Sequence, residues 1–250
     1  MTNIKIRLAG EGDIKRLIEI SKHPSSLGPG SIPRYLGANR HDHNGLSSAG
    51  FEDLIIGLIH SSGGWYTCTV AEVEETGKVV GYCAWEWFEY NKEGDRVVAK
   101  DRPVKLQEIW DELEAKEPTE MPPRAYNPDA QPDELFLARS KACEFWGKHK
   151  EAHKIVRRIS EFTNFSEFWQ IHHSAVDSAP EYRGVMEVLV RWGLELADEK
   201  ALWTVVICSK NTKPFYERLG FEYLKTHVAS VPGDDEVLEL AWLRRRPQPK

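Results

Sequence analysis

The succession of elements between Trp169 and Leu243 limits the folds open to this chain more than any other feature. Trp169 to Val176 has the composition of a strand, a loop runs to Tyr182, Val185 to Lys200 repeats apolar residues at helical spacing, and Leu202 to Cys208 is a second strand. Strand, helix and strand in immediate succession favour a parallel pair joined by a crossover. A short helix follows, Pro214 to Leu219, with Gly220 as its C-cap. Strands Phe221 to Ser230 and Val237 to Leu243 then flank an acidic turn, Pro232 to Glu236, and read as a hairpin, so the sheet is mixed.

The N-terminal part adds antiparallel strands. Ile4 to Leu8 alternates apolar and polar residues, Gly10 to Asp13 breaks the pattern, and Ile14, Leu17, Ile18 and Ile20 return at helical spacing. His23 to Gly45 is a loop rich in Pro, Gly and Ser, and Gly50 to His60 a second amphipathic helix. Trp65 to Val73 and Lys78 to Phe88 form a hairpin across the turn Glu74 to Gly77. Between Glu89 and Phe168 the texture changes. A charged loop leads to a helix Val104 to Lys116, five prolines fall between Pro118 and Pro132, and a longer helix, Leu135 to Ile155, carries Leu135, Ala138, Ala142, Phe145, Trp146 and His149 on one face. This is an insertion. The expected fold class is α+β of three-layer α/β/α type, a mixed and mostly antiparallel sheet flanked by helices. Residues 1–250 form one domain with an inserted region at about 89–168.

A chain of 250 residues buries roughly 70 to 75% of its unfolded surface, so a core forms without staples. Its 41% hydrophobic, 29% charged and 10% aromatic residues are those of a folded soluble protein. With 39 acids against 33 Lys plus Arg the formal charge is -6, and there is no global basic field to draw the chain onto nucleic acid. The longest apolar stretches, Leu54 to Ile59 and Leu202 to Cys208, fall far short of the roughly 20 residues that span a bilayer. Met1 to Leu8 lacks the apolar block of a secretory signal, so the expected location is cytoplasmic. Cys68, Cys83, Cys143 and Cys208 stand far apart, without a C-x-x-C pair, and are read as buried thiols. His41, Asp42 and His43 cluster in a Gly-rich loop without a third and fourth ligand, and no metal is expected. Trp192 shares a helical face with Val185, Val188 and Leu189 and belongs to the core, while Arg244 to Arg246 form a solvated basic tail.

Chemistry concentrates between His172 and Glu222. There a strand ends in a turn that opens directly into a helix, whose first turn offers unpaired N–H groups and the positive end of its dipole. Such a terminus binds anions. Gly184 at the junction lets the backbone approach a phosphate, and Arg183 adds a cation; on spacing alone an ordinary strand-to-helix turn is the stronger reading. The stretch resembles the GNAT superfamily of acetyl-CoA-dependent N-acetyltransferases, whose pyrophosphate motif of Gln or Arg, two residues, Gly, one residue, Gly or Ala follows a strand ending in Val. Counted from Val176, the motif falls on Glu181, Gly184 and Met186. The segment SKNTKPFYERLGFE, Ser209 to Glu222, is similar to the family's Ser or Asn after the fifth strand, then Tyr and Gly-Phe. LADEKALWTVVICSKNTKPFYERLGF is particularly similar to the fungal branch. Ile4 to Asp13 and Val70 to Trp87 resemble the opening strand and second hairpin. The resemblance covers about two thirds of the chain and omits Glu89 to Phe168.

It implies acetyl-CoA as cofactor, bound by Ala175, Val176, Glu181, Tyr182, Arg183, Gly184, Val185, Met186, Ser209 and Lys213, and a small-molecule amine as acceptor. Main-chain amides near Ala175 and Val176, on a splayed strand, hold the pantetheine arm. Direct acetylation needs a neutral amine, a stabilised oxyanion and a proton for the departing thiolate. Tyr216 is the acid, since a phenol near pKa 10 lies within about two units of a thiol; the alternative is a purely packing role for Phe215 and Tyr216. The base is Glu86, between Trp85 and Trp87 where desolvation raises a carboxyl's pKa, or His173. His172 and His173, adjacent on a strand, are expected on opposite faces, so that only one looks into the cleft; a water chain is a further alternative. Two departures stand out. Glu181 sets a carboxylate near a pyrophosphate, and Met186 sets a long side chain where the family has a small one. They motivate a second reading, a catalytically silent binding module on the same scaffold; a third is a biosynthetic enzyme using another acyl group.

Overall fold

The computed structural model describes residues 3–21, 55–59, 66–89, 167–230 and 237–249. The strands are β1 (Ile4–Leu8), β2 (Tyr66–Val73), β3 (Val79–Glu89), β4 (Glu167–Val176), β5 (Trp203–Ser209), β6 (Glu222–Ser230) and β7 (Val237–Arg245), and the helices α1 (Ile14–Ser21), α2 (Val185–Glu199) and α3 (Lys213–Arg218). Residues 55–59 are helical as well, with Ile55, Leu58 and Ile59 buried. The seven strands form one sheet in the order β1-β2-β3-β4-β5-β7-β6. Only β4 and β5 are parallel; every other neighbour is antiparallel. The periodicities place each of the strands β1 to β7 and helices α1 to α3 to within two residues, and Gly77 and Gly220 take the left-handed φ of 67° and 87° that their turn and cap positions require. The expected insertion helices, the loop from His23, the candidate metal cluster at His41 and the residue Cys143 lie outside the described residues.

Strands β3 and β4 are the centre of the sheet and are buried along most of their length, which explains their near-continuous apolar runs. The two faces carry different helices. Gly81, Cys83 and Trp85 look toward α2: a Cβ on Gly81 would lie 3.2 Å from Leu189, and Gly193 lets α2 settle directly onto the Trp85 ring. Tyr82, Ala84 and Glu86 alternate to the other face, where Tyr82 meets Ser21 of α1. Helix α3 lies on the α2 side, with Tyr216 reaching Ser174, the strand partner of Cys83.

Two polar joints fix the helices to the sheet. Arg245 of β7 donates bidentate bonds of 2.7 and 2.8 Å to Asp198 at the end of α2 and a third to the Leu219 carbonyl after α3. Arg16 of α1 donates to the Val79 carbonyl at 2.9 Å and pairs with Asp177 just past β4. Burial alone would raise the Asp177 carboxyl, but the Ala179 N–H and Arg16 outweigh it and hold the group below the usual carboxylate range. The Arg16 joint sits just past the C-terminal end of β4, whereas the Arg245 joint is at the other end of the sheet, where Arg245 pairs with Thr204 at the start of β5.

Candidate active site

The parallel ladder between β4 and β5 is short. It runs from Phe168↔Trp203 to Ile171↔Val206 and stops, although β4 continues to Val176 and β5 to Ser209. Beyond Ile171 each strand keeps its outer partner, β3 or β7, so the two halves of the sheet part along a split that opens toward the strands' C-terminal ends. Ligands of open α/β sheets sit at such places, because the strand edges there have polar groups to offer.

The chain leaves β4 through a turn at Pro180–Tyr182 and enters α2 at Gly184. Gly184 has φ 92° and ψ -15°, a left-handed conformation that a side chain disfavours, and nothing lies within 4 Å of where a Cβ would stand. The Glu187 and Val188 N–H groups close on the Gly184 carbonyl, and those of Val185 and Met186 head the helix as its unpaired first-turn donors. Arg183 and Glu181 are exposed, so the carboxylate that departs from the motif points to solvent. Met186 is half-buried and packs on the core. The Tyr182 and Val185 side chains are buried, Tyr182 taking a 3.3 Å bond from Lys78 Nζ, so these two residues have main-chain groups to offer at the turn. Gly184, the α2 terminus and the unzipped β4 edge fit a diphosphate with an extended arm, which is the shape of coenzyme A.

Tyr216 stands at the split from the α3 side. Its phenol is hydrogen-bonded to the Ser174 side chain, and its ring packs edge-on against Phe215 and Phe221 at 5.0 and 5.6 Å. Burial, reinforced by Cys83 and Cys208, raises its pKa well above that of a free phenol in spite of the Ser174 bond. The group is a protonated donor at any physiological pH. Cys208 below it is pushed up to about 11, chiefly by burial, and is no nucleophile. Ser209 ends β5 with its Oγ 3.1 Å from Thr212 Oγ1, while Lys213 pairs with Glu217 at 2.6 Å and lies over the Tyr223 ring. Lys213 is therefore engaged within its own helix.

The two histidines do not divide between the faces. The β3–β4 register breaks between Ala84 and Trp85: Ala84 pairs with His173 but Trp85 pairs with Ile171, which leaves His172 as an extra residue. In a bulge of this kind two successive side chains project to one side. His172 Nδ1 stands 2.9 Å from Glu86 Oε2 and its ring meets Tyr66 edge-on, whereas His173 stacks on Tyr82 and bonds its hydroxyl at 2.8 Å. Tyr66, Glu86 and Tyr82 all belong to the α1 face, so both imidazoles do.

Hydrogen-bond bookkeeping assigns the tautomers. A carboxylate only accepts, so His172 Nδ1 carries the proton toward Glu86. The Ser21 hydroxyl donates to the Leu17 carbonyl at 2.7 Å, Tyr82 donates to Ser21 at 2.5 Å, and His173 Nδ1–H therefore donates to Tyr82. Burial, with His172 adding to it, lowers the His173 pKa to about 3. His173 is a neutral structural group at the end of a relay into α1. Glu86 is 4% exposed, and its surroundings differ from those expected of it: the Trp85 and Trp87 rings alternate to the α2 face, while Tyr66, Gln170 and His172 are its neighbours.

The structure thus gathers Ala175, Val176, Tyr182, Arg183, Gly184, Val185, Met186 and Tyr216 around the split, and Glu86 with His172 on the α1 side of it. Ser174 and Gln170 went unnoticed in the sequence. Their signal is a run of polar residues in a central strand: Gln170, His172, His173 and Ser174 interrupt an otherwise apolar β4. Among the described residues no group of three or more His, Cys, Asp or Glu is placed to hold a metal, and no helix is long and apolar enough to cross a membrane.

No protein-family model matches this chain, and no curated protein matches its sequence. Solved structures do. A Drosophila melanogaster polyamine N-acetyltransferase superposes with a TM-score of 0.55 at 12% identity, covering 98% of this chain and 100% of its own. The "histone acetyltransferase HPA2 and related acetyltransferase" of Corynebacterium glutamicum gives 0.52 at 15%, covering 100% and 99%. A GNAT superfamily phosphinothricin acetyltransferase of Sinorhizobium meliloti, solved with acetyl-CoA, gives 0.51 at 14%, covering 100% and 94%. Identities this low speak for architecture alone, and on that ground the chain has the fold of the GNAT acetyltransferases.

Proposed function

We propose that this protein is an acetyl-CoA-dependent N-acetyltransferase acting on a small amine. One observation carries the reading: the β4–β5 ladder ends at Ile171, beside the left-handed Gly184 at the head of α2 and within reach of the Tyr216 phenol. The neighbours that share this fold include enzymes that acetylate amines and one solved with acetyl-CoA. Acetyl-CoA supplies an acetyl group activated as a thioester. The residues do the rest. Main-chain N–H groups of Gly184, Val185 and Met186 receive the diphosphate, Arg183 adds a positive charge, and the edge at Ala175 and Val176 lines the extended arm. Tyr216, kept protonated by burial, donates to the leaving sulfur. His172, held by Glu86 through Nδ1, takes the amine's proton at Nε2. This moves the base from Glu86 or His173 to His172, with Glu86 orienting it, because His173 is tied into the relay through Tyr82.

The whole chain forms one domain in this reading, and residues 89–168 cover the acceptor side and set specificity. The kinship of residues 196–221 to the fungal branch rests on the wording of the sequence. Isothermal calorimetry with acetyl-CoA, then thiol release across an amine panel, tests the proposal. Micromolar binding and amine-dependent thiol release are expected. Binding without release from any amine would favour the silent binding module, and no binding at all would end the acetyl-CoA reading. Tyr216→Phe should keep the cofactor affinity and lose about 100-fold or more in kcat.

A further inference from the structure

Next to the His172–Glu86 pair the sheet buries a polar group that nothing among the described residues satisfies. Gln170 is 6% exposed, and its Oε1 is fully buried with no hydrogen-bond partner among the described residues. A buried carbonyl oxygen left without a donor costs stability, and native proteins keep few of them. Gln170 is the direct cross-strand partner of Glu86, so the two side chains leave the sheet on the same face with Cβ atoms roughly 4.5 to 5.5 Å apart. Glu86 is itself occupied, holding His172, but its negative charge stays in place beside the amide. The local chemistry is a carboxylate, an unsatisfied carbonyl oxygen and the imidazole of His172. Of these the amide oxygen asks for a hydrogen-bond donor, and the neighbouring carboxylate favours a positive one.

We propose that Gln170 Oε1 accepts an N–H of the acceptor's primary ammonium group, beside the Glu86 charge, and so selects amines that arrive protonated with donors to give. The inference rests on the transferase reading and deepens it. From the docked ammonium, one N–H bond breaks as the proton passes to His172 Nε2, leaving a neutral amine with its lone pair free and an imidazolium whose Nδ1–H faces the Glu86 carboxylate. Charge is conserved in the step, and the new cation forms against an anion already in position. Gln170 in this scheme is a binding residue that keeps the nitrogen in place while the proton leaves.

The probes are 2-phenylethylamine and hexylamine, chosen because the same face continues into the stacked Phe88 and Phe168 rings, 5.0 Å apart. Each is compared with its N,N,N-trimethyl counterpart, which keeps the charge and lacks the donor. Binding is measured by calorimetry on the full chain saturated with coenzyme A, where no turnover occurs. At least one primary amine should bind about 10-fold or more tighter than its trimethyl form, and Gln170→Met should erase that ratio by weakening the primary amine about 10- to 100-fold. The same variant should unfold at an equal or higher temperature, because it removes an unsatisfied buried oxygen; a merely structural Gln would show the reverse. Should Gln170→Met misfold, the primary-to-trimethyl ratio in the unaltered protein still decides, with a ratio near one overturning the idea. A ratio that Gln170→Met leaves unchanged overturns it too, as does failure of both primary amines to bind. Amine binding through Gln170 without any thiol release upholds this inference and overturns the transferase reading, so the two failures are distinct.

Discussion

His173 is a titratable side chain that the fold keeps uncharged, and this has a measurable cost in acid. Its pKa falls to about 3 in the folded protein, chiefly through burial, against about 6.5 in the unfolded chain. Because the unfolded state binds the proton first, the contribution is complete above pH 6.5 and is lost as pH drops toward 3, at about 1.4 kcal/mol per pH unit for this one group. Urea midpoints measured from pH 7 to pH 4 should decline accordingly, and His173→Phe should flatten that slope. A variant whose midpoint declines as steeply as the parent's would show that other groups dominate. Tyr216 illustrates the opposite sign. Burial raises a phenol's pKa, which ensures the proton is present at the cost of making it harder to give up. An alkaline limb of kcat attributable to Tyr216 should therefore be missing below pH 10, and one that vanishes in Tyr216→Phe would contradict the assignment.

At the scale of elements, two glycines serve opposite purposes and their alanine variants should separate cleanly. Gly184 needs its left-handed φ but has open space around it, so Gly184→Ala should cost about 1 to 2 kcal/mol from backbone strain alone. Gly193 sits in the middle of α2, where alanine is intrinsically better by about 1 kcal/mol. Yet its Cβ would come within 2.1, 2.4 and 2.7 Å of three atoms of the buried Trp85 ring, so the overpacking cost lies at or above the upper end of the usual range, about 3 kcal/mol or more. Gly193→Ala should therefore be the more destabilising of the two in chemical denaturation, and a net stabilisation would mean that α2 slides easily over the sheet.

Elements of this sort were legible because their information is local. Strand alternation, helical spacing, the Gly220 cap and the Gly77 turn each lie within a dozen residues, and the strand–helix–strand succession implied the parallel pair. The bulge was not legible. It is a register offset between Ala84 and His172, residues nearly ninety positions apart, and no local pattern in either strand announces it. Adjacent histidines on an unbroken strand point to opposite faces, and the misplaced expectation for His172 and His173 follows from that rule. The Trp85 and Trp87 rings misled in the same manner: neighbours in sequence, they are on the far face of the sheet from Glu86. Distant partners account for the remaining omissions, since Ser174 gains its meaning only from Tyr216 and Gln170 from Glu86.

At the scale of the whole molecule the sheet consists of β1 to β4 and of β5, β7 and β6, joined by four residue pairs. Acetyl-CoA at 100 times its dissociation constant should raise the unfolding free energy by about 2.7 kcal/mol. Amide exchange should slow most along residues 172–176 and at the head of α2; slowing confined to β1 and β2 would place the ligand elsewhere. A slot of this kind resembles a ladder whose upper rungs were left out. A guest that seats there and presents amides and carbonyls at strand spacing, about 4.8 Å from β4, stands where a longer β5 would have stood. For as long as it stays it is the eighth strand of the sheet, bracing two halves that otherwise meet along a narrow weld.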